Sequence, residues 1–330
     1  MKPKPNTKLL CENRKCIINT DLDGILSGLV LHNVLNWQIV GFCDSNEFIW
    51  IDISENSLKE AIFIDMFVTP DQLKCIDQHI VSYDIQSARK LSQNHNKLNP
   101  NLINYRYFTP SSSYSKKYPF GTLHFIISCL EGLGYELKLE LNKEIIYGLC
   151  LIDFILRTDD TYKTSTFSNY TENAEEWWNW LLEYSKNGKI TKQFYDHIKW
   201  TKVNLWKRQV ELQKQKISNL LLSSPFYCSS SDGGYTGSHL MGKTKLKKHV
   251  KDYIMFLSEI TGYKCFNLEL QLKTIKGESK RAKYSNDLLK KILALEESIL
   301  FSYAFVRSNN RENNFSYTLM SKKTLSPFCQ

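Results

Sequence analysis

Glycine, proline and long apolar runs are all scarce in this chain of 330 residues. With 14 glycines and 8 prolines, the sequence is neither collagen-like nor a low-complexity disordered segment. No run approaches the roughly 20 apolar residues of a membrane span, and the basic start is not followed by the apolar stretch of a secretory signal. We therefore expect a cytoplasmic protein without a membrane partner.

Cysteine patterns typical of disulfide frameworks or zinc sites are also missing. The nine cysteines are odd in number and scattered, without zinc-site spacing. Cys16, Cys75 and Cys150 stand beside apolar strand-forming residues, which favours buried core thiols. The length and an apolar content of 42% allow about two domains with hydrophobic cores. Neither disulfides nor a structural metal is needed for stability.

Short apolar runs alternate with helical patterns in the first half of the chain, which predicts a parallel sheet covered on both faces. A polar loop is predicted at 94–101. The predicted strands are 15–19, 40–43, 48–51, 61–64, 74–76 and the apolar run 145–154. The predicted helices are 27–35, 57–60, a short one after Pro70, and 121–134.

In the second half of the chain, long helical patterns come first and strands follow only near the end. A helix that contains Trp177, Trp178 and Trp180 is predicted to end near Gly188, and a long basic helix follows at about 191–222. Beyond a Ser- and Gly-rich stretch, the predicted elements are a helix at 247–260, a strand at 265–274, a helix at 285–296 and a hairpin that pairs 299–307 with 315–321. The predicted fold class is α/β, with a parallel-sheet domain (1–165) joined by a helical connector (166–222) to a smaller α+β domain (223–330).

Acidic residues follow several predicted strands at the point where each strand ends. Because ligands of parallel sheets bind at that edge, we expect these side chains to converge. Carboxylates at close range repel one another unless a cation lies between them, and Mg²⁺ and Mn²⁺ prefer oxygen ligands. A single aspartate at such a point can also be a helix cap or a turn residue. The residues concerned are Asp21, Asp23, Asp65, Asp77 with Gln78 and His79, and Asp153.

In this order the motifs resemble the DHH phosphoesterase superfamily over about residues 15–160, closest to its NrnB-like and RecJ-like branches. Asn-Thr-Asp21-Leu-Asp23-Gly resembles the first motif and Phe-Ile-Asp65-Met the second. Ile-Asp77-Gln78-His79 resembles the Asp-His-His motif, and Gly-Leu-Cys-Leu-Ile-Asp153-Phe the fourth. The resemblance implies a DHH domain, a connecting helix and a smaller substrate-binding domain.

The resemblance further implies a hydrolase that cleaves phosphodiester bonds in single-stranded nucleic acid or short oligonucleotides with one or two Mn²⁺ or Mg²⁺ ions. Asn19 and Gln78 stand where the family has histidine ligands, which predicts weaker metal binding. His79 corresponds to a histidine that contacts substrate phosphate. The implied metal ligands are Asp21, Asp23, Asp65, Gln78 and Asp153. The implied catalytic residues are Asp21, Asp23, Asp65, Asp77, His79 and Asp153.

The net charge of +9 comes from the second half of the chain, which favours a polyanionic partner. Lys243, Lys245, Lys247 and Lys248 are the predicted contacts to a nucleic-acid backbone; the alternative is a solvent-exposed helix start. The Gly-Gly-Gly-His element of the family's accessory domain is absent after the last hairpin. The three tryptophans are expected to pack in a core, with base stacking as the alternative.

Two other functions stay open. One is a catalytically degenerate DHH protein that binds nucleic acid or a protein partner, which the loss of two histidine ligands favours. The other is hydrolysis of pyrophosphate or a nucleotide, which leaves the basic half unexplained.

Overall fold

A computed structural model describes residues 5–44, 47–52, 58–103, 116–141, 168–204, 242, 244–306 and 313–326. Asp153, Lys243, Cys150, the predicted strand 145–154 and most of the predicted loop 223–242 lie outside the described residues. The strands are β1 (Lys15–Asn19), β2 (Gln38–Cys43), β3 (Phe48–Asp52), β4 (Ala61–Ile64), β5 (Lys74–Ile76), β6 (Lys97–Leu98), β7 (Leu272–Lys276), β8 (Glu278–Ala282), β9 (Ser298–Phe305) and β10 (Phe315–Ser321). The α-helices are α1 (Leu22–Leu35), α2 (Ile85–Gln93), α3 (Pro100–Ile103), α4 (Thr122–Leu133), α5 (Ser168–Tyr184), α6 (Lys189–Asn204), α7 (Lys248–Thr261), α8 (Asn286–Leu293) and α9 (Lys322–Leu325).

Seven strands form a mixed sheet in the order β6-β5-β4-β1-β2-β3-β7. The pairings from β6 across to β2 are parallel, whereas β3 pairs antiparallel with both β2 and β7. The predicted α/β class with a mostly parallel sheet is therefore confirmed. As a result, the carboxyl ends of β1, β2, β4 and β5 lie at one edge of the sheet.

Side chains alternate between two cores along the central strand, because successive residues of a strand point to opposite faces. Cys16 and Ile18 pack among residues of α1, α4, α5 and α7. Ile17 packs on the opposite face, where an antiparallel sheet of order β8-β10-β9 covers the strands. Phe63 of β4 meets Phe301 of β9 there, with ring centroids 5.8 Å apart. The seven-stranded sheet therefore lies between a layer of helices and a second sheet.

The last third of the chain contributes to both sheets. β7 pairs with β3, from Phe48 opposite Lys276 to Asp52 opposite Leu272. β8, β9 and β10 form the second sheet. Residues 272–276 thus belong to the same sheet as β1. The division at residues 165 and 222 stays a prediction.

Several local predictions were wrong. Residues 265–271 of the predicted strand 265–274 are not a strand, and β7 begins only at Leu272. The residues after Pro70 form bends and turns rather than a helix. The predicted loop 94–101 contains β6, because Cys75 and Ile76 of β5 pair with it. α1 begins at Leu22 and not at residue 27, because Asp21 caps its first turn.

The three tryptophans of α5 are core residues, as predicted. Trp177, Trp178 and Trp180 are at most 3% exposed, and Trp177 packs edge-to-face on Tyr118, with ring centroids 5.3 Å apart. Their faces are not accessible to bases, so the stacking alternative does not hold. Cys16 and Cys75 are likewise buried free thiols, as predicted.

Across the described residues, no helix has both the length and the apolar character needed to cross a membrane.

Candidate functional site

The end of β1 carries an inner group of polar residues, Asn19, Asp21 and Asp23. Asn19 is 4% exposed. Its Nδ2 donates hydrogen bonds to Oδ2 of Asp21 (3.0 Å) and to Oδ2 of Asp65 (2.8 Å). Oδ1 of Asp21 accepts from the backbone N–H of Gly24 (2.9 Å) and caps α1. The amide of Asn19 therefore lies where a cation would otherwise separate two carboxylates.

Asp23 lies in the first turn of α1, and its carboxylate caps the start of another helix, α4. Its Oδ2 accepts the backbone N–H of Thr122 (2.7 Å) and its Oδ1 that of Leu123 (2.8 Å). These are the first two residues of α4, whose N-cap is Gly121 and has no side chain to offer. Because N–H groups at a helix start lack partners within the helix and carry partial positive charge, a carboxylate is stabilised there. Both oxygens of Asp23 are thus engaged by the chain.

Asp65 follows β4 in a left-handed backbone conformation, with φ of 60°. Its backbone N–H donates to the carbonyl of Ile76 (2.9 Å), and its Oδ1 accepts from the hydroxyl of Thr122 (2.8 Å). Such a conformation costs about 1 kcal/mol or more outside glycine and persists only where the surroundings impose it. The sheet and Thr122 together fix where this carboxylate points.

Asp77 and His79 complete a cleft group with Asp65. Nδ1 of His79 lies 2.6 Å from Oδ1 of Asp77, and the His79 backbone N–H donates to Oδ2 (2.9 Å). Because the carboxylate accepts, Nδ1 carries the hydrogen, and Nε2 is the ring nitrogen left for other chemistry. The three side chains offer ligand atoms that lie within 4.8 Å of one another. Two carboxylates and an imidazole form a donor set that suits Mn²⁺.

Two buried asparagines support the backbone of the cleft group. Asn99 donates from Nδ2 to Oδ2 of Asp77 (3.1 Å) and to the carbonyl of His79 (2.8 Å). Asn101 donates from Nδ2 to the carbonyl of Gln78 (2.7 Å). Both asparagines are 1% exposed. The sequence prediction placed them in a polar loop. In the structure they flank Pro100, directly after the two-residue strand β6.

Lys97 fixes the loop between β4 and β5. Its Nζ is buried and donates to the carbonyls of Val68 (2.6 Å), Pro70 (2.9 Å) and Leu73 (2.7 Å). Burial lowers the pKa of Lys97, whereas nearby Cys75 and Asp71 act in the opposite direction. The loop also meets the second sheet, because the Thr69 backbone N–H donates to the carbonyl of Phe301 (2.8 Å).

A cleft of about 200 Å³ adjoins the cleft group between the loops of the first sheet and the second sheet. His79 reaches it, with 34% of its side chain exposed. Asp44, which follows β2, is a site residue that sequence reasoning missed, although it follows a predicted strand just as Asp65 does. The lining residues are Asp44, Met66, Phe67, His79, Arg281, Ser302, Tyr303, Ala304, Val306, Ser316, Tyr317 and Thr318.

Four other predicted site residues that the structure describes do not line this cleft. Gln78 is buried and does not line it. Lys245 and Lys248 are exposed and Lys247 is the N-cap residue of α7. None of these lysines lines the cleft, so their contact with nucleic acid stays a prediction.

Comparisons of the chain with protein-family models, with curated proteins and with solved structures found no match. The resemblance to the DHH superfamily therefore rests on the sequence motifs alone.

Proposed function

We propose that the protein is a divalent-cation-dependent phosphodiesterase that hydrolyses phosphodiester bonds in single-stranded nucleic acid or short oligonucleotides. The observation that carries this proposal is the cleft group, in which Asp65, Asp77 and His79 offer ligand atoms within 4.8 Å of one another beside a cleft. Parallel sheets bind ligands at this edge. The order of the sequence motifs supports the same chemistry.

The donor set fits one ion better than two. Asp65, Asp77 and His79 would hold Mn²⁺ or Mg²⁺, because their ligand atoms lie within 4.8 Å of one another. Asp23 instead gives both of its oxygens to the start of α4. A bound ion supplies positive charge beside a phosphate and makes a water molecule more acidic.

The chain's own residues orient this chemistry. Asp77 holds the His79 ring through Nδ1. Nδ1, the ring nitrogen next to the carboxylate, would bind the ion in place of its proton, and Nε2 is left to carry a proton. Asn99 holds the Asp77 carboxylate in turn. Thr122 and Asn19 each bond one oxygen of Asp65, which fixes the direction of its remaining lone pairs.

Turnover of labelled single-stranded DNA, RNA and dinucleotides tests the proposal, with Mn²⁺, Mg²⁺ or a chelator. We expect cleavage with Mn²⁺ and none with the chelator. Asp77→Asn should lower kcat by about 100-fold or more, because the charge that holds the cation and orients His79 is lost. Glu60→Gln is the matched control: Glu60 is exposed and precedes β4 at its opposite end. Wild-type turnover by Asp77→Asn contradicts the proposal.

Binding of nucleic acid or a protein partner without hydrolysis is the second candidate. The bonds from Asn19 to Asp21 and Asp65 favour it, because they satisfy these two carboxylates without any metal. Under this function, nucleic acid binds equally well in the chelator, and no divalent cation produces cleavage.

A further inference from the structure

The second sheet presents a small polar face to the cleft. Arg281 of β8 lies opposite Ser316 of β10, which in turn lies opposite Ala304 of β9. Directly opposed residues of an antiparallel pair share a face of the sheet. Thr318 and Ser302 form the next pair on this face. All five residues line the cleft, so this wall consists of small and hydroxyl side chains with one cation at the edge strand.

Three donor groups of this wall, those of Arg281, Ser302 and Ser316, are uncommitted within the described residues, in contrast to the acidic residues nearby. Arg281 is exposed, and among the described residues it forms no ion pair or hydrogen bond. The hydroxyls of Ser302 and Ser316 likewise have no hydrogen-bond partner in the described part of the chain. A guanidinium group and two hydroxyls therefore face the cleft with their hydrogens available.

We infer that Arg281 is the anion-binding residue of the cleft and that the anion is a phosphate group of the substrate; this inference rests on the proposed function. The planar guanidinium of arginine pairs with phosphate oxygens through two parallel hydrogen bonds. Ser302 and Ser316 supply further donors on the same face. The polar wall thus matches the several acceptor oxygens of a phosphate.

The size of the cleft limits what it encloses. About 200 Å³ is below the roughly 300 Å³ at which pockets for drug-sized ligands begin. One phosphate and the atoms next to it fit, and the rest of an oligonucleotide extends beyond the cleft. Arg281 thus recognises a single phosphate rather than a long backbone.

The acidic residues on the other side make phosphate and cation binding cooperative. Asp44 lines the cleft, and Asp65 and Asp77 lie beside it. An anion is repelled by these carboxylates until a divalent cation neutralises part of their charge. Linkage requires each ligand to tighten the other by the same factor.

Calorimetric titration of inorganic phosphate, with and without Mg²⁺, tests the inference on the full chain. With Mg²⁺ present, Arg281→Met should weaken phosphate binding about tenfold or more, because a charged hydrogen-bond donor is lost. The phosphate affinity of Arg281→Lys should lie between those of wild type and Arg281→Met, because lysine keeps the charge but not the paired donors. Lys280→Met is the matched control, since Lys280 is the next residue on the same exposed strand, does not line the cleft and pairs with Glu278 (3.0 Å).

Each outcome separates the inference from the proposed function. Equal phosphate affinity of Arg281→Met and wild type overturns the inference, as does a wild type that binds no phosphate. If the wild type cleaves nucleic acid and Arg281→Met retains its KM, the inference fails and the proposed function stands. If phosphate binding depends on Arg281 but no substrate is cleaved, the inference stands and the proposed function fails. Unchanged melting temperatures of the variants verify that the fold is kept.

Discussion

The inner group and the cleft group lie at the same edge of one sheet and both accept hydrogen bonds from the chain, but only the cleft group has a member that lines the cleft. In the inner group, an amide and the starts of two helices supply donors to Asp21 and Asp23. In the cleft group, His79 lines a cleft together with side chains of the second sheet. Donors from the chain do not by themselves make an aspartate structural, because Asp65 and Asp77 also accept hydrogen bonds at both oxygens. The comparison teaches that an aspartate at a strand end can serve as a ligand site when the space beside it is left for another molecule.

The largest expected effect comes from breaking the inner group at Gly24. A Cβ there would lie 2.2 Å from the carbonyl oxygen of Asn19, and a backbone atom of the sheet cannot move aside. We expect Gly24→Ala to lower the free energy of unfolding by about 3 kcal/mol or more, despite the better helix propensity of alanine. Gly28→Ala is the control, because its Cβ would meet side-chain atoms rather than backbone: two of Ile18 at 3.0 and 3.1 Å and one of Ile39 at 3.7 Å. Equal losses in urea unfolding would show that the close approach at Gly24 is not needed.

Lys97→Met breaks the support of the cleft group instead. Three carbonyl groups lose a buried donor, so we expect unfolding to become easier by about 2–3 kcal/mol. Lys90→Met, on the exposed side of α2, should change stability by less than about 0.5 kcal/mol. Similar stabilities of the two variants would argue against the role of Lys97.

The same variant isolates a pH dependence. Folding lowers the pKa of Lys97 below its usual 10.5, so the unfolded chain still holds this proton at pH values where the folded protein has released it. Stability contributed by this group therefore rises with pH through that window. Burial raises the pKa of Cys75 to about 11, which makes stability fall with pH above 9. Because Lys97 also lowers the pKa of Cys75, its loss in Lys97→Met strengthens the cysteine effect. The stability difference between wild type and Lys97→Met should therefore increase with pH.

Asn19→Asp tests the difference between the inner group and the cleft group, and its expected loss of stability is the smallest of the three. It replaces the amide donor between Asp21 and Asp65 by a third carboxylate, so we expect a loss of about 2 kcal/mol without divalent cations. Mg²⁺ or Mn²⁺ should restore much of that loss, because an ion that binds only the folded state stabilises it. Asn19→Ala removes the donor without adding charge and should show no such rescue. Melting temperatures of both variants with and without Mg²⁺ show whether the inner group, as well as the cleft group, can act as a cation site.

Local sequence patterns predicted the central strands and most helices, because uniform apolar runs and cap residues act over a few positions. They did not predict the pairing of β7 with β3, because an edge strand such as β7 buries only Leu272 and Ile275. The turns after Pro70 were not predicted either, because the carbonyls there accept hydrogen bonds from Lys97, which is distant in sequence.

The sequence predicted the residue types of the site, but it did not predict that they separate into an inner group and a cleft group. Sequence brought Asp21, Asp23, Asp65 and Asp77 to one edge, and the structure places them there. That Asn19 would bond two of these carboxylates, and that the start of α4 would take Asp23, depends on packing between distant segments. The motifs in the first half of the chain could not predict that Arg281 belongs to the site. Arg281 lies in the second sheet, and the packing of that sheet brings it to the cleft.

The pairing of β3 with β7 has a consequence for synthesis of the chain on the ribosome. The apolar stretch Phe48–Asp52 emerges long before the strand Leu272–Lys276 that completes its ladder. Until then, one edge of β3 has unpaired backbone groups next to Ile49, Trp50 and Ile51, the kind of edge that recruits other chains. The lysines of β7, Lys273 and Lys276, then give the finished edge a charged border. Nascent chains that stop before residue 272 should therefore be the aggregation-prone form of this protein.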